Sequence, residues 1–137
     1  MAKFIVLDGA DGSGKKTQFD TIVARLERMG INFRTADFPQ YGNPSSFFVE
    51  KYLNGKYGDP RILGAYLPSI FYAMDRFDDS SRLKQIIADK SIPLLISNRY
   101  ISANCGHQGG KIADETERQK YLDWLFDFEY NILKIPK

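Results

Sequence analysis

Residues Gly9-Ala10-Asp11-Gly12-Ser13-Gly14-Lys15 decide the fold, and they follow the apolar run Phe4-Ile5-Val6-Leu7. Glycines at 9, 12 and 14 allow positive φ values and a close approach to a ligand, so that successive N–H groups point into one concavity. Lys15 adds a positive charge for phosphates, and the helical pattern that follows adds its positive dipole end. Because a strand precedes the stretch and a helix follows it, we interpret it as a phosphate-binding loop rather than a flexible turn.

Position 16 departs from the usual loop pattern. That pattern has serine or threonine after the loop lysine, where the hydroxyl ligates Mg²⁺, whereas this chain has Lys16 and then Thr17. Successive helical residues point about 100° apart, so Thr17 does not replace the missing hydroxyl. If Mg²⁺ binds, we expect Asp8 or Asp11 to hold it through water.

Composition indicates a single domain with one hydrophobic core. The 137 residues are 43% hydrophobic and 26% charged, and the net charge of +2 argues against nucleic acid or a membrane surface as a partner. The only cysteine, Cys105, excludes an internal disulfide and, with His107, gives no zinc ligand set. The sequence has no signal peptide pattern and no apolar run of membrane-spanning length, so we expect a cytoplasmic protein.

Hydrophobic periodicity predicts an α/β fold with three strands, at residues 3–8, 31–37 and 92–96. A helix follows the glycine-rich loop as far as Gly30, a short helix ends at Leu53, and a long helix begins near Asp114. A further helix begins at Asp59-Pro60, and we expect Pro68 to kink or divide it. Residues 83–87 are predicted to form a separate short helix, and residues 38–46 a loop at the ligand-binding edge of the sheet.

Four segments, in this order, resemble the thymidylate kinase family: residues 4–18, Phe38-Pro39, residues 72–76, and residues 98–109. The resemblance runs from end to end. It implies a P-loop NTPase-like, three-layer parallel sheet with helices on both faces, truncated to about three strands, with residues 1–137 as one C-terminally incomplete kinase domain. In the family's sheet, strand one lies between strand three and a fourth strand beyond Lys137, so residues 4–7 are expected to form an open edge.

The resemblance also implies roles for individual residues. Tyr72 would stack on thymine and Arg76 would hydrogen-bond the base edge, since one helical turn places both on one face. The alternative for this pair is a core aromatic beside a surface arginine. Arg99 would bind the monophosphate with its planar fork. Asn98 stands where the family has aspartate, which removes a negative charge near the metal.

Further substrate positions follow from the same resemblance. Asn104 matches a base contact, and Gln108 is assigned to the substrate site. Phe38-Pro39 matches a pair that lines the nucleotide site, with a peptide bond that sequence leaves open as cis or trans. Asp11 resembles a carboxylate near the sugar 3′-hydroxyl and the metal, with turn formation as the alternative. His107 lies where relatives often have an aromatic near the sugar, and we assign it no proton transfer.

The implied activity is transfer of the ATP γ-phosphoryl group to dTMP in dTTP biosynthesis, with Mg²⁺ and with Lys15, Arg99 and Asp11 as catalytic residues. Relatives with glycine at the position of Gly12 take a catalytic arginine from a lid, which would lie beyond Lys137. We therefore expect slow turnover by this chain. Because residues 4–7 are expected to form an open edge, we also expect the chain to aggregate or to pair edge to edge. A homodimer is the assembly that the resemblance implies. Two alternatives stay open: a nucleotide-binding module without turnover, and a kinase for another nucleoside monophosphate.

Overall fold

A sheet of three parallel strands organises the computed structural model, which describes all 137 residues. The strands are β1 (Lys3–Leu7), β2 (Phe33–Asp37) and β3 (Leu94–Asn98). Their order is β1-β3-β2, so β3 is central and β1 forms one edge. The α/β class, the three strands and the open edge at β1 are thereby confirmed.

Helical segments connect the strands and complete the chain. The α-helices are α1 (Lys15–Arg28), α2 (Phe47–Leu53), α3 (Pro60–Leu63), α4 (Tyr66–Ala88), α5 (Ile101–His107) and α6 (Glu115–Phe126). Short 3₁₀ helices cover Pro44–Ser46 and Gly109–Lys111, and a π-helical segment, Asp127–Ile132, continues α6. The helix after the glycine-rich loop, the helix ending at Leu53 and the helix beginning after Asp114 agree with the sequence prediction. No helix combines the length and apolar character that crossing a membrane requires.

The helix predicted from Asp59-Pro60 breaks at a different place than expected. Asp59 caps α3, but the break lies at Gly64, whose φ of 69° ends the helical path. Pro68 lies in the first turn of α4, where a missing N–H costs no hydrogen bond. The prediction that Pro68 kinks or divides the helix was therefore wrong.

The prediction of a separate helix at residues 83–87 was also wrong, because α4 runs unbroken to Ala88. Leu83 and Ile86 belong to its last turns and are 0% and 8% exposed. The polar residues that precede them are compatible with a continuous helix, because Arg82 forms an ion pair with Asp79 one turn earlier. Packing of the apolar residues on both sides of that pair keeps α4 continuous.

The hydrophobic core lies between the sheet, α4 and α6. Leu83, Leu95, Tyr121 and Leu125 are completely buried in it. Burying a side chain of this size contributes about 1.5–3 kcal/mol. Helix α1, by contrast, has no fully buried residue, and Ile5 of the edge strand is 47% exposed.

Candidate active site

The three strands end level with one another, which brings the loops that follow them together. Asn98 of β3 is in register with Leu7 of β1 and with Asp37 of β2. A cleft of about 970 Å³ opens at this edge. Its walls come from the glycine-rich loop and α1, from the segment after β2, and from residues at and beyond the end of β3: Ala10, Asp11, Gly12, Gly14, Lys15, Lys16, Thr17, Asp37, Phe38, Pro39, Tyr41, Tyr52, Leu53, Tyr72, Asn98, Arg99, His107, Gln108 and Lys111.

The glycine-rich loop has the backbone geometry that its sequence predicts. Gly12 and Gly14 have φ values of 76° and 84°, which favour glycine because a side chain is strained there. At Gly9 a Cβ atom would lie 2.9 Å from the Ser13 Oγ, so a larger residue here would require the Ser13 side chain to rotate away. Gly9 and Ser13 shape the loop without lining the cleft. Lys15 donates from Nζ to the Gly9 carbonyl at 3.1 Å and so reaches back along the loop.

Lys16 lines the cleft, and its amine pairs with an aspartate one turn further along α1. Its Nζ donates to Asp20 at 2.7 Å, and its side chain is 83% exposed. The hydrogen bond that Lys16 donates to the Asp20 carboxylate raises the pKa of Lys16. Thr17 lines the cleft, as its assignment to the nucleotide site requires. Because it lies one residue further along α1 than position 16, its side chain points in a different direction from a hydroxyl residue at position 16.

Oxygen atoms from several elements are available near the strand ends for a hard cation such as Mg²⁺. Asp8 accepts from the Gly9 N–H at 2.9 Å and from the Ser102 hydroxyl at 2.6 Å. Asn98 donates from Nδ2 to Asp37 at 2.8 Å, while its Oδ1 is buried without a partner. Carboxylate and amide oxygens are the ligands that Mg²⁺ takes, usually with waters and phosphates. No three His, Cys, Asp or Glu side chains converge into a protein-only metal site.

Arg99 is held at the centre of the cleft by the ends of two strands. Its N–H donates to the Leu7 carbonyl at 2.8 Å, and its carbonyl accepts from the Ser97 hydroxyl at 2.6 Å. These bonds sustain a φ of 62°, which costs a residue with a side chain about 1–3 kcal/mol. Its guanidinium pairs with Asp11, and this charge holds the pKa of the Asp11 carboxyl below its ordinary value.

A smaller cavity of about 30 Å³ adjoins the cleft and is lined by Phe38, Pro39, Tyr72, Arg76, Arg99, Tyr100, Ala103, Asn104, His107 and Gln108. We call it the inner cavity. The Phe38-Pro39 peptide bond on its wall is cis. Burial raises the pKa of Tyr72, so its hydroxyl stays neutral. The three residues that the family resemblance assigned to the base, Tyr72, Arg76 and Asn104, therefore all line the inner cavity.

Two amide side chains in the inner cavity have unused hydrogen-bonding capacity. Asn104 is 3% exposed and donates from Nδ2 to the Ser69 carbonyl at 3.3 Å, which leaves its Oδ1 free. Gln108 is also 3% exposed, and its Oε1 is buried without any partner in the chain. An unpaired buried acceptor costs about 1–3 kcal/mol, so the Gln108 Oε1 in particular favours a ligand that donates to it.

Arg76 is a buried residue, so the alternative of a surface arginine beside a core aromatic was wrong. It is 2% exposed and lines the inner cavity. Its Nε donates to Glu129 Oε2 at 2.7 Å, and its Nη2 donates to the other oxygen of the same carboxylate. Nη1 is the one guanidinium nitrogen that has no acceptor in the chain.

Sequence reasoning missed three residues that shape this site. Tyr41 lines the cleft in the loop after β2, and burial raises its pKa. Asp75, 1% exposed, accepts from the Gln40 N–H at 2.9 Å and thereby fixes that loop on α4. Glu129 comes from the π-helical segment. The loop chemistry of residues 38–46 could have indicated Tyr41, whereas no local pattern marks the other two.

A parallel sheet with a glycine-rich loop between β1 and α1, and a cleft above the strand ends, defines a P-loop nucleotide-binding fold. Residues 7–121 match the family model of thymidylate kinase. The chain belongs to the thymidylate kinase family.

Individual relatives agree with this assignment. A thymidylate kinase from Mycobacterium tuberculosis is 24% identical over 134 residues, which cover 97% of this chain and 61% of that protein. One from Halothermothrix orenii is 30% identical over 128 residues, which cover 90% of this chain and 58% of that protein. A solved thymidylate kinase structure from Candida albicans aligns with a TM-score of 0.68 and 22% identity, covering 92% of this chain and 56% of that one. The chain thus spans about three fifths of the length of the curated relatives it matches.

Proposed function

We propose that this chain carries the nucleotide sites of a dTMP kinase, which transfers the γ-phosphoryl group of ATP to dTMP and forms dTDP. The observation that carries the proposal is the buried, unpaired Oε1 of Gln108, a residue that lines the inner cavity together with Tyr72. Thymine presents an N–H donor between two carbonyl acceptors, so it can donate to such an oxygen. The nearby Asn104 Oδ1 is a second acceptor, and Arg76 supplies a donor for a carbonyl.

The phosphates would occupy the larger cleft. Arg99 holds the 5′-phosphate of dTMP, and this phosphate replaces the Asp11 carboxylate that now pairs with the guanidinium. The N–H groups of the glycine-rich loop and Lys15 hold the ATP phosphates. Phosphoryl transfer depends mainly on positioning and on charge stabilisation, which these groups provide.

Mg²⁺ would be held by oxygens at the strand ends, with Asp11 or Asp8 acting through water. The unpartnered Asn98 Oδ1 is the further oxygen that fits this ion. The ion supplies neutralisation of phosphate charge when it is bound. The protein residues keep their own tasks: Lys15 binds the donor phosphates, and Arg99 orients the acceptor phosphate.

The exposed face of α4 supports a homodimer as the assembly of this kinase. Leu67, Met74 and Phe77 lie on one face of α4 and are 42%, 43% and 44% exposed.

A cytoplasmic location completes the proposal, because a nucleotide-dependent enzyme with a free thiol suits a reducing compartment.

Two other functions compete with this proposal. Lys16 and Asn98 replace groups associated with the metal, which favours a nucleotide-binding module without turnover. A kinase for another nucleoside monophosphate would use the same loop with a different base.

A coupled ADP-release assay with dTMP, dCMP, dGMP and AMP tests all three, with calorimetric binding of each nucleotide measured in parallel. We expect tightest binding of dTMP and ADP release that depends on it. Binding of dTMP without ADP release would favour the module, and a preference for another monophosphate would favour the third function.

A further inference from the structure

A carboxylate from the end of the chain fixes the orientation of Arg76. Glu129 lies in the π-helical segment and is 0% exposed, and Arg76 is 2% exposed. Two parallel hydrogen bonds join the carboxylate to Nε and Nη2 of the guanidinium. A planar fork held at two nitrogens cannot rotate, so the direction of the third nitrogen is fixed as well.

The held guanidinium leaves its remaining nitrogen for a ligand. Nη1 has no acceptor in the chain, and Arg76 lines the inner cavity despite its burial. Nη1 can only donate hydrogen bonds, so it can pair with a carbonyl oxygen but not with the N–H groups of an amino group. The negative charge of Glu129 balances the arginine, so the pair brings no net charge into the cavity.

We propose that Glu129 is a positioning residue that determines base selectivity by holding Arg76 with Nη1 toward a carbonyl oxygen of the base. The proposal rests on the proposed function and deepens it. Thymine has a carbonyl at the pyrimidine position where cytosine has an amino group. A buried donor that meets the amino group stays unpaired, and such mismatches discriminate strongly between ligands. Glu129 lies outside the residues that match the family model, which end at 121.

The test compares calorimetric affinities for dTMP and dCMP in the whole chain and in variants. In Glu129→Gln the amide places a donor against one guanidinium N–H, so the fork loses one of its two bonds. We expect the preference for dTMP over dCMP to fall about tenfold or more. ADP affinity, which the inner cavity does not influence, stays within about twofold.

A matched control is Asp79→Asn, which breaks another arginine–carboxylate pair on α4. Asp79 is 8% exposed and bonds Arg82 at 2.6 Å, and neither residue lines the inner cavity or the cleft. This variant should keep the full preference for dTMP.

Breaking a buried pair can unfold a protein, so a second variant keeps the test decisive. Glu129→Asp keeps Arg76 and the charge of the pair but shortens the carboxylate side chain by one methylene, so the guanidinium has to move to keep its hydrogen bonds. This variant should fold cooperatively and lose about threefold or more of the preference for dTMP over dCMP.

The outcomes distinguish the role of Glu129 from the proposed function of the chain. Loss of discrimination in Glu129→Gln, or in Glu129→Asp if Glu129→Gln does not fold, supports the positioning role. Equal weakening of dTMP and dCMP, or an unchanged ratio, overturns it and assigns the pair to stability alone. Absence of any dTMP preference in the unmodified chain overturns the proposed function first, and the proposal for Glu129 with it.

Discussion

Arg99 pairs with Asp11 and thereby connects the residue after β3 to the glycine-rich loop after β1. The pair is asymmetric, because the Arg99 side chain is 22% exposed and the Asp11 side chain is 81% exposed. An exposed carboxylate contributes little to folding stability through such a pair. The geometry therefore favours a binding role, in which a phosphate takes the place of the carboxylate on Arg99.

Arg99→Ala should weaken dTMP binding about ten- to a hundredfold, because it removes charge-assisted hydrogen bonds to the phosphate. ADP affinity should change by less than about threefold. Calorimetric titration of each ligand measures both effects. Arg61→Ala is the matched control, because Arg61 is also paired with an aspartate but lies outside the cleft. If Arg99→Ala instead weakens the affinities for dTMP and ADP equally, Arg99 has a structural role or lies at the site of the phosphoryl donor, ATP.

Lys16→Thr should restore a hydroxyl at the position where the loop pattern has a metal ligand. We expect the Mg²⁺ concentration that gives half-maximal ATP binding to fall severalfold. Lys16→Ala serves as the control, since it removes the same ion pair with Asp20 and adds no ligand. If both variants keep the original Mg²⁺ dependence, another group already fills this role.

Features that depend on neighbouring residues could be predicted from the sequence. The positive φ values at Gly12 and Gly14, the strand before them and the cap at Asp59 all follow from local chemistry. The break in the helix was misplaced because Pro68 is a stronger helix breaker in sequence than Gly64. Pro68 lies in the first turn of α4, where a proline does not break a helix. Whether a proline lies in a first turn depends on where the helix begins.

Contacts between distant residues explain what sequence missed at the site. Arg76 and Glu129 are 53 residues apart, and nothing in either segment identifies the other as its partner. Helix α5, at residues 101–107, was also missed because its seven residues are too few to establish a periodic pattern. The resemblance to the family assigned Asn104 to a base contact and Gln108 to the substrate site, but the unpaired state of Gln108 Oε1 is visible only in the packed structure.

Tyr121→Phe should lower the free energy of unfolding by about 1 kcal/mol at neutral pH. The variant loses the hydrogen bond with Ser69 Oγ at 2.7 Å and the longer one to the Asn104 carbonyl. Tyr57→Phe is the control, because Tyr57 packs on Phe71 and forms no hydrogen bond through its hydroxyl. Urea unfolding at pH 7 measures the difference, and equal stability of both variants would contradict the role of the Tyr121 hydroxyl.

Alkaline pH should also distinguish Tyr121→Phe. Burial raises the pKa of Tyr121 from 10.0 to about 12, so the unfolded chain releases this proton first. Stability is therefore lost as the pH rises from about 10 toward 12, and the variant lacks this contribution. Unfolding curves across that range should show a shallower loss in Tyr121→Phe, whereas parallel curves would contradict the effect of burial.

Ile5→Lys should reduce self-association of the chain along β1. Edge strands without charges, prolines or bulges pair with other chains, and Ile5 is 47% exposed on this edge. Light scattering should show fewer species larger than a dimer. Ile62→Lys removes an isoleucine that is 86% exposed on α3, away from the sheet, and should have a much smaller effect. Equal changes in both variants would assign association to general surface hydrophobicity.

We expect the inner cavity and the adjoining cleft to bind dTMP through a buried acceptor and a phosphate-binding arginine. Calorimetric titration of dTMP into the chain and into Gln108→Leu measures this binding, because leucine fills similar space without polar atoms. We expect saturable binding with one site per chain, weakened about tenfold or more in the variant. Identical dTMP binding by both proteins, or no saturable binding by the unmodified chain, would show that Gln108 and the inner cavity do not form a dTMP site.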